Sequence, residues 1–149
     1  MPAVYATAFR PNDGGGWWIG GGIEAAFLTW SDNSPAFGPS HGELRVDVAA
    51  LRSEDAMRGT MAMYRLGGEM SLERNASRRF LIPYVALDVG GLWTSDTGTR
   101  GFVDGGLGVY LVHRRGIVIS AEAVAVLPFS SPSELGGVRT QLTGSVTLW

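Results

Sequence analysis

This chain of 149 residues contains two histidines, which are candidates for metal binding and for catalysis. Neither His41 nor His113 has a second ligand at a metal-binding spacing such as H-E-x-x-H. His113 precedes Ser120 by seven positions, and acyl transfer needs a serine, a histidine and an acid that orients the histidine. Ser40 adjoins His41, but adjacent residues of a strand point to opposite faces. We therefore expect no catalytic residue, and an acyl-transfer site at His113 and Ser120 remains an alternative.

Closely spaced acids are a second candidate, because a carboxylic acid and a carboxylate can act as general acid and base. Glu43 and Asp47 form one such pair, and Glu69 and Glu73 form another. Residues four apart in a strand share a face at a separation of about 13 Å, which favours ion pairing with arginine over joint catalysis. Guanidinium groups bind carboxylates in a bidentate manner and stay charged when enclosed. The predicted partners are Arg45, Arg65 and Arg139.

Glycine-rich and hydroxyl-rich stretches indicate no cofactor site. The runs GGGWWIGGG and GGLG match neither the phosphate loop nor the complete dinucleotide-binding fingerprint. Asp96 lies among hydroxyl residues, but a single carboxylate is too few for a cation site. We therefore expect neither a cofactor nor a metal ion.

The composition excludes several classes of protein. Cysteine is absent and all 12 basic residues are arginine, which excludes a disulfide framework, a cysteine-ligated metal and lysine chemistry. The net charge of −2 provides no positive field that would attract a nucleic-acid partner. No run approaches the roughly 18 apolar residues of a membrane-spanning helix. The first residues, MPAVYATAF, lack the features of a signal peptide, so export would require that one has already been removed.

Apolar residues alternate with polar ones along most of the chain, which is the pattern of half-buried β-strands. Turn-forming residues separate these segments, as in the predicted connection SDNSPAFGPSHG. Short connections produce an antiparallel meander, and closure into a barrel removes its exposed edges. We predict one all-β domain over residues 1–149, an eight-stranded up-and-down barrel. Its strands are predicted at 3–10, 16–30, 42–52, 60–73, 80–93, 101–113, 117–129 and 139–149.

The alternation leaves open which face of the sheet is wet. A soluble barrel of the lipocalin kind has an apolar interior that binds a small apolar ligand, whereas a membrane barrel has a polar interior and an apolar exterior. The polar faces here carry few charges for a soluble surface, and the charges mix both signs, as a buried and paired set must. This favours the membrane barrel. The predicted interior polar network consists of Glu24, Glu43, Arg45, Asp47, Arg65, Glu69, Asp88, Asp104, Glu122 and Arg139.

Aromatic residues gather near the ends of the predicted strands, as they do at the two interfaces of a membrane. Trp17 and Trp30 lie 13 residues apart, which for a tilted strand spans about 30 Å, close to the thickness of a bilayer's hydrocarbon core. Trp18 and Phe102 also lie near strand ends. The predicted aromatic girdle consists of Trp17, Trp30, Trp93, Phe129 and Trp149.

Three segments carry a resemblance to a known family: PYVALDVGGLW (83–93), GFVDGGLGVYLVHRRGIVISAEAVAVLPF (101–129) and the C-terminal RTQLTGSVTLW. With these segments the chain resembles the small eight-stranded outer-membrane β-barrel proteins of Gram-negative bacteria. The resemblance implies a transmembrane barrel with a polar, side-chain-filled interior that is too narrow for an open pore. It implies a structural or interaction role, in contact with membrane lipids, lipopolysaccharide or another envelope protein. Some members of this group modify lipids, which keeps the acyl-transfer alternative open.

Overall fold

The computed structural model describes residues 2–34, 38–72, 80–95, 98–114, 116–130 and 136–146. Side chains are described throughout these ranges except at residues 30–41 and 56. No helix within these ranges is long and apolar enough to cross a membrane.

Eight antiparallel strands form a closed barrel in the described part of the chain. Each strand pairs with its neighbours in sequence, and β1 closes the barrel by pairing with β8. This topology confirms the predicted all-β, up-and-down, eight-stranded barrel. The strands are β1 Pro2–Pro11, β2 Trp18–Ser34, β3 Gly38–Ser53, β4 Thr60–Ser71, β5 Ile82–Thr94, β6 Gly98–Arg114, β7 Ile117–Pro128 and β8 Gly137–Val146, with a short 3-10 helix at Ala56–Arg58.

The two ends of the barrel hold different connections. The end where β1 begins and β8 ends, termed the terminal end, also holds the connections from β2 to β3, from β4 to β5 and from β6 to β7. The opposite end, termed the loop end, holds the other connections. At the loop end the N–H of Asn12 donates to the carbonyl of Gly136 at 2.7 Å. This hydrogen bond continues the β1–β8 pairing beyond the strands.

One predicted connection is largely strand. SDNSPAFGPSHG predicts a loop, but β2 continues to Ser34 and β3 begins at Gly38. Ser34 pairs with Gly38, so the ladder continues along most of this segment. The backbone hydrogen bonds of the ladder outweigh the turn preference of the individual residues. The predicted strand ends at 30 and 42 are therefore wrong.

The interior of the barrel contains the predicted polar side chains together with an apolar layer that the prediction did not include. This layer lies towards the loop end and includes Phe9, Leu92 and Val126, each fully buried. A smaller apolar group, which includes Tyr84 and Tyr110, lies towards the terminal end. Buried polar side chains, among them Arg45, Arg65 and Arg139, share the interior with these two apolar groups.

Trp18 and Phe102 belong to the interior and not to an outer aromatic girdle. Trp18 is 4% exposed and Phe102 is 0% exposed. Trp18 pairs with the inward-facing Phe9, and Phe102 pairs with the buried Pro128. Their nearness to a strand end suggests an interface, but the alternation of the strand assigns them the inward face. Strand phase is the stronger indicator.

The outer face of the barrel is apolar. Val48, Leu66 and Leu107 point outward, with exposed fractions of 49%, 52% and 63%. These residues belong to the apolar rows of the sequence pattern, which therefore cover the barrel and do not line a cavity. The soluble-barrel alternative, in which the same rows surround an apolar ligand, is wrong about their direction.

Glycines make room for tyrosine rings inside the barrel. A Cβ atom at Gly108 would lie 2.1 Å from a ring atom of Tyr84, and a Cβ atom at Gly22 would lie 2.5 Å from one of Tyr5. Gly144 on β8 differs, because no atom lies within 4 Å of its added Cβ. A side chain is thus excluded at the first two positions and has open space at the third.

We expect Gly108→Ala to lower the free energy of unfolding by about 1–3 kcal/mol, because the Tyr84 ring must move within a filled interior. Gly144→Ala is the matched control in open space and should change it by about 0.5 kcal/mol or less. Denaturant titration followed by circular dichroism measures both values. Equal losses for the two variants would contradict the assigned contact between Gly108 and Tyr84.

Candidate functional site

All ten residues of the predicted interior network lie on the inward face, and each is at most 8% exposed. Every strand from β2 to β8 contributes at least one of them, so the network surrounds the lumen. The contributions are Glu24 from β2, Glu43, Arg45 and Asp47 from β3, Arg65 and Glu69 from β4, Asp88 from β5, Asp104 from β6, Glu122 from β7 and Arg139 from β8.

Arg45 is the centre of this network. Its Nη1 lies 2.8 Å from Glu69 Oε2 and 3.6 Å from Glu24 Oε2. Its Nη2 lies 2.8 Å from Glu122 Oε2 and 3.2 Å from Asp88 Oδ2. The side chain crosses the lumen from β3 to β7. A single guanidinium therefore joins β3 to β2, β4, β5 and β7.

Arg65 and Arg139 extend the network to Asp47 and Asp104. Arg65 Nε donates to Asp47 Oδ1 at 2.9 Å, and its Nη1 lies 3.8 Å from Asp104 Oδ2. Arg139 Nη2 lies 3.3 Å from Asp104 Oδ2 and 3.0 Å from Glu122 Oε1. Asp104 contacts both arginines, so the two are parts of one continuous network.

The strand register places carboxylates directly opposite one another. Glu43 pairs with Glu69 across β3 and β4, and Asp88 pairs with Asp104 across β5 and β6. Like charges in this arrangement repel each other unless a cation lies between them. For the aspartates Arg139 serves this purpose, since its Nη2 lies 3.3 Å from Asp104 and 4.0 Å from Asp88. Arg139 thus offsets the repulsion within the aspartate pair.

Three tyrosine hydroxyls also contact the network, and none of them is among the predicted site residues. Each hydroxyl donates a hydrogen bond to a different carboxylate. The pairs are Tyr5 with Asp47, Tyr84 with Glu122, and Tyr110 with Glu69. Tyr84 and Tyr110 alternate in phase with the acids of their own strands. Strand phase alone could have indicated these two tyrosines.

Gln141 is a further member that the sequence reasoning missed. Its Oε1 accepts a hydrogen bond from Arg65 Nη2 at 2.8 Å and another from Arg139 Nη1. Its Nε2 donates to the Thr143 hydroxyl at 2.9 Å. Gln141 stands two positions after Arg139 and so shares its face of β8. A neutral amide thus connects two cations that would otherwise repel each other.

Carboxylates outnumber arginines in the described interior, seven to three. Glu24 Oε2, Asp47 Oδ2 and Asp104 Oδ1 have no hydrogen-bond partner within the described residues. Each arginine therefore compensates more than one acid. Within the described residues, removal of Arg45 would leave Glu24 and Glu69 without an arginine partner, which makes Arg45 the most sensitive member of the set.

A small cavity of about 30 Å³ lies at the terminal end of the network, with Glu24, Glu43 and Glu69 in its wall. Such a space holds about one water molecule. Among the residues that the structure describes, no group of three or more histidine, cysteine, aspartate or glutamate side chains could hold a metal ion. The cavity therefore provides space for solvent beside the glutamates.

His113 and Ser120, the pair considered for acyl transfer, line this same cavity. Ser120 is 7% exposed and forms a hydrogen bond with Tyr84. The His113 ring packs against Tyr110, with 5.1 Å between the ring centroids. Both residues face the interior, away from the apolar outer face.

Other residues considered for chemistry are outside the description. The side chains of Ser40 and His41 belong to the part of the chain whose side chains are not described. Glu73 and Asp96 lie outside the described residues altogether.

The predicted aromatic girdle is described at three of its five positions. Trp17, Trp93 and Phe129 lie at the loop end, and Trp93 and Phe129 are 44% and 68% exposed. The side chain of Trp30 and the whole of Trp149 lie outside the description. The described members therefore mark one end of the outer face.

A polar contact at the loop end holds the connection between β1 and β2. Asp13 Oδ1 accepts a hydrogen bond from the N–H of Gly15 at 2.8 Å, and Asp13 Oδ2 lies 3.0 Å from Arg58 Nη2. Partial burial alone would raise the pKa of Asp13, but these two donors outweigh it and keep the pKa below its usual value. The contact ties this connection to the 3-10 helix.

Comparison with known proteins assigns no family to the chain. No protein family matches it, and neither a curated protein nor a solved structure matches it. The barrel and the direction of its side chains are therefore the basis for any functional argument.

Replacement of Arg45 tests how far the barrel depends on the network. Arg45→Met should lower the free energy of unfolding by about 3–5 kcal/mol, because it leaves buried carboxylates without their cation. Arg45→Lys keeps the charge but lacks the planar fork that contacts both sides of the lumen, so it should recover only part of this loss. Denaturant unfolding of each variant measures the effect.

Arg58→Met is the matched control, because it removes a partly exposed ion pair at the rim. It should cost about 1 kcal/mol or less. A loss for Arg45→Met that is no larger than the loss for Arg58→Met would show that the network does not stabilise the barrel.

Proposed function

We propose that this chain is an integral β-barrel protein of the Gram-negative bacterial outer membrane. It acts as a structural or interaction module, with a closed interior and without a catalytic reaction of its own. Its partners are the membrane lipids, lipopolysaccharide and, for the interaction role, another protein of the cell envelope.

The observation that carries this proposal is the direction of the side chains. The ten charged residues of the predicted interior network point into the barrel, while the rows that point outward are apolar. Among the described strand side chains, outward-pointing charges stand only near strand ends, at Arg10, Arg52 and Arg114. An apolar surface of this extent associates or aggregates in water, whereas lipid chains solvate it. The distribution fits a barrel that has lipid outside.

The apolar band is tall enough to cover a hydrocarbon core. On β7 the outward residues extend from Ile117 to Leu127, without a charged side chain among them. A strand that rises about 3.3 Å per residue and tilts by about 40° covers about 25 Å over this length. The aromatic side chains of Trp93 and Phe129 stand at the loop end of this band, where an interface is expected.

Closure of the sheet gives the backbone N–H and C=O groups of every described strand hydrogen-bond partners, which a membrane-spanning sheet requires. β1 pairs with β8, so every described strand has a partner on both sides. Unpaired backbone groups are very costly in lipid, and a closed barrel avoids them. Inside, the contact from Arg45 to Glu122 spans the lumen. An eight-stranded barrel is just wide enough for side chains to fill it, which supports a closed interior.

Gel mobility with and without boiling tests the proposed membrane location. Protein refolded into detergent micelles should migrate differently before and after boiling and should give β-type circular dichroism. A parallel sample in plain aqueous buffer should give neither result, because the apolar rows have no lipid or detergent to cover them. Folded, monodisperse protein in plain buffer would contradict the proposal.

A lipid-modifying enzyme of the outer membrane is the second candidate. One observation favours it: His113 and Ser120, which lie on the two strands of the β6–β7 hairpin, line one cavity together with Glu69. The burial of Ser120 counts against it, because an acyl chain in the membrane would have to reach the interior of the barrel.

We expect His113→Gln and Ser120→Ala, made separately, to leave the acyl chains of phospholipid and of lipid A unchanged in cells that express the protein. Ser145→Ala is the control, because Ser145 lines the same cavity. Lipid mass spectrometry measures the chains. An acyl change that requires both His113 and Ser120 but not Ser145 would establish the enzyme and contradict the purely structural role.

A further inference from the structure

Two arginines point outward at the loop end, on either side of β2. Arg10 stands near the end of β1, and Arg52 stands near the end of β3. Both side chains are exposed. Each lies on the same strand face as an apolar row, which continues towards the terminal end with Ala8 on β1 and with Ala50 on β3. Each guanidinium therefore lies at the edge of the apolar band, where the band ends towards the loops.

The register brings these two arginines to the same part of the rim. Phe9 pairs with Trp18 across β1 and β2, and Trp18 pairs with Ser53 across β2 and β3. The neighbours of Phe9 and Ser53, which are Arg10 and Arg52, thus flank the start of β2. Arg52 pairs with Ile19, so it lies two residues further from the rim than Arg10. Two strand spacings and this offset together correspond to about 12 Å, a gap that two long side chains directed at one headgroup can close.

Trp17 lies between the two arginines and positions one of them. The Arg10 Cζ lies 5.5 Å from the centroid of the Trp17 ring, which is a cation–π contact. This contact holds the Arg10 side chain against the rim. An indole ring also suits a boundary between an apolar and a polar medium, because one of its edges is apolar and the other carries an N–H.

The acids near this site already have partners. Asp13 pairs with Arg58, with 3.0 Å between Asp13 Oδ2 and Arg58 Nη2. Glu54 Oε2 accepts a hydrogen bond from the backbone N–H of Trp17 at 3.3 Å. Within the described part of the chain, neither of the two outward arginines forms an ion pair. Both guanidiniums are therefore available to an external anion.

We propose that Arg10, Trp17 and Arg52 bind the phosphate group of a membrane lipid in the leaflet at the loop end. The guanidinium groups contact the phosphate in the bidentate manner that suits this anion, and the acyl chains lie on the apolar surface below Arg10, beside Ala8 and Ile19. The occupant is a lipid rather than free phosphate, because the two cations stand at the edge of an apolar surface. This assignment rests on the proposed membrane location.

The first measurement compares three ligands on the full chain refolded in an uncharged maltoside detergent. The ligands are phosphatidic acid, diacylglycerol with the same acyl chains, and inorganic phosphate. Native mass spectrometry reports how much of each stays on the folded barrel. We expect retention of phosphatidic acid and of neither comparison ligand, because only the first carries both the anion and the chains.

The second measurement uses the double variant Arg10→Gln with Arg52→Gln. It should weaken phosphatidic acid binding by about tenfold or more, since each arginine near a membrane surface adds to the attraction of an anionic headgroup. Arg114→Gln is the matched control, because Arg114 is also exposed and points outward, but at the terminal end. It should leave the binding unchanged. The boiling-dependent gel shift verifies that each variant is folded.

Several outcomes would overturn this site. If the unsubstituted protein retained diacylglycerol and phosphatidic acid equally, the site would be refuted. This result does not depend on whether the variants fold. Equal binding of inorganic phosphate would replace the lipid with a free anion, and an equal loss for Arg114→Gln would indicate unspecific attraction. A boiling-sensitive barrel that fails to retain phosphatidic acid would refute this site and leave the membrane proposal standing, whereas folded protein in plain buffer would refute both.

Discussion

Charges that are enclosed by a barrel wall must find their partners inside it, because the apolar outer face offers none. Arg45 meets this requirement for acids on four other strands, with contacts of 2.8 to 3.6 Å. The positions of other interior residues depend on these contacts. The acids must stand at the level that this guanidinium reaches, and Gly108 must lack a side chain so that Tyr84 can lie among them. The register of the sheet is thus constrained from within.

The layers of the interior give this network different surroundings at its two ends. Towards the loop end Phe9, Leu92 and Val126 form a dry layer, which excludes water and strengthens the ion pairs beneath it. Towards the terminal end the small cavity beside Glu24 and Glu43 leaves space for solvent. The acids with the fewest arginine contacts therefore stand where water can compensate them. The buried charges thus share the interior with an apolar layer towards the loop end and with space for solvent towards the terminal end.

Strand phase is the part of this structure that local sequence can predict. The facing of Asp88 or Glu122 needs only the alternation within one strand, and so does the facing of the apolar rows. The contact between Arg45 and Glu122 joins residues 77 positions apart, and it depends on closure and register, which no local pattern contains. Position near a strand end is a poor guide, as Trp18 and Phe102 show. Turn-type residues are also a poor guide where a hairpin ladder continues through them, as it does up to the pairing of Ser34 with Gly38.

Arginine side chains occur on both the inner and the outer face of this barrel. The position of each arginine in the alternation of its strand determines the face. Arg45 and Arg52 stand seven positions apart on β3, an odd separation, so one points into the lumen and the other points out. Inside, the planar fork contacts carboxylates on both sides of a narrow lumen, which a lysine ammonium could not do with the same geometry. Outside, the described strand arginines stand only where the apolar band ends, because under the proposed membrane location a charge further along the band would face lipid. The use of arginine for every basic residue is therefore consistent with both settings, because each selects for bidentate contact with an anion.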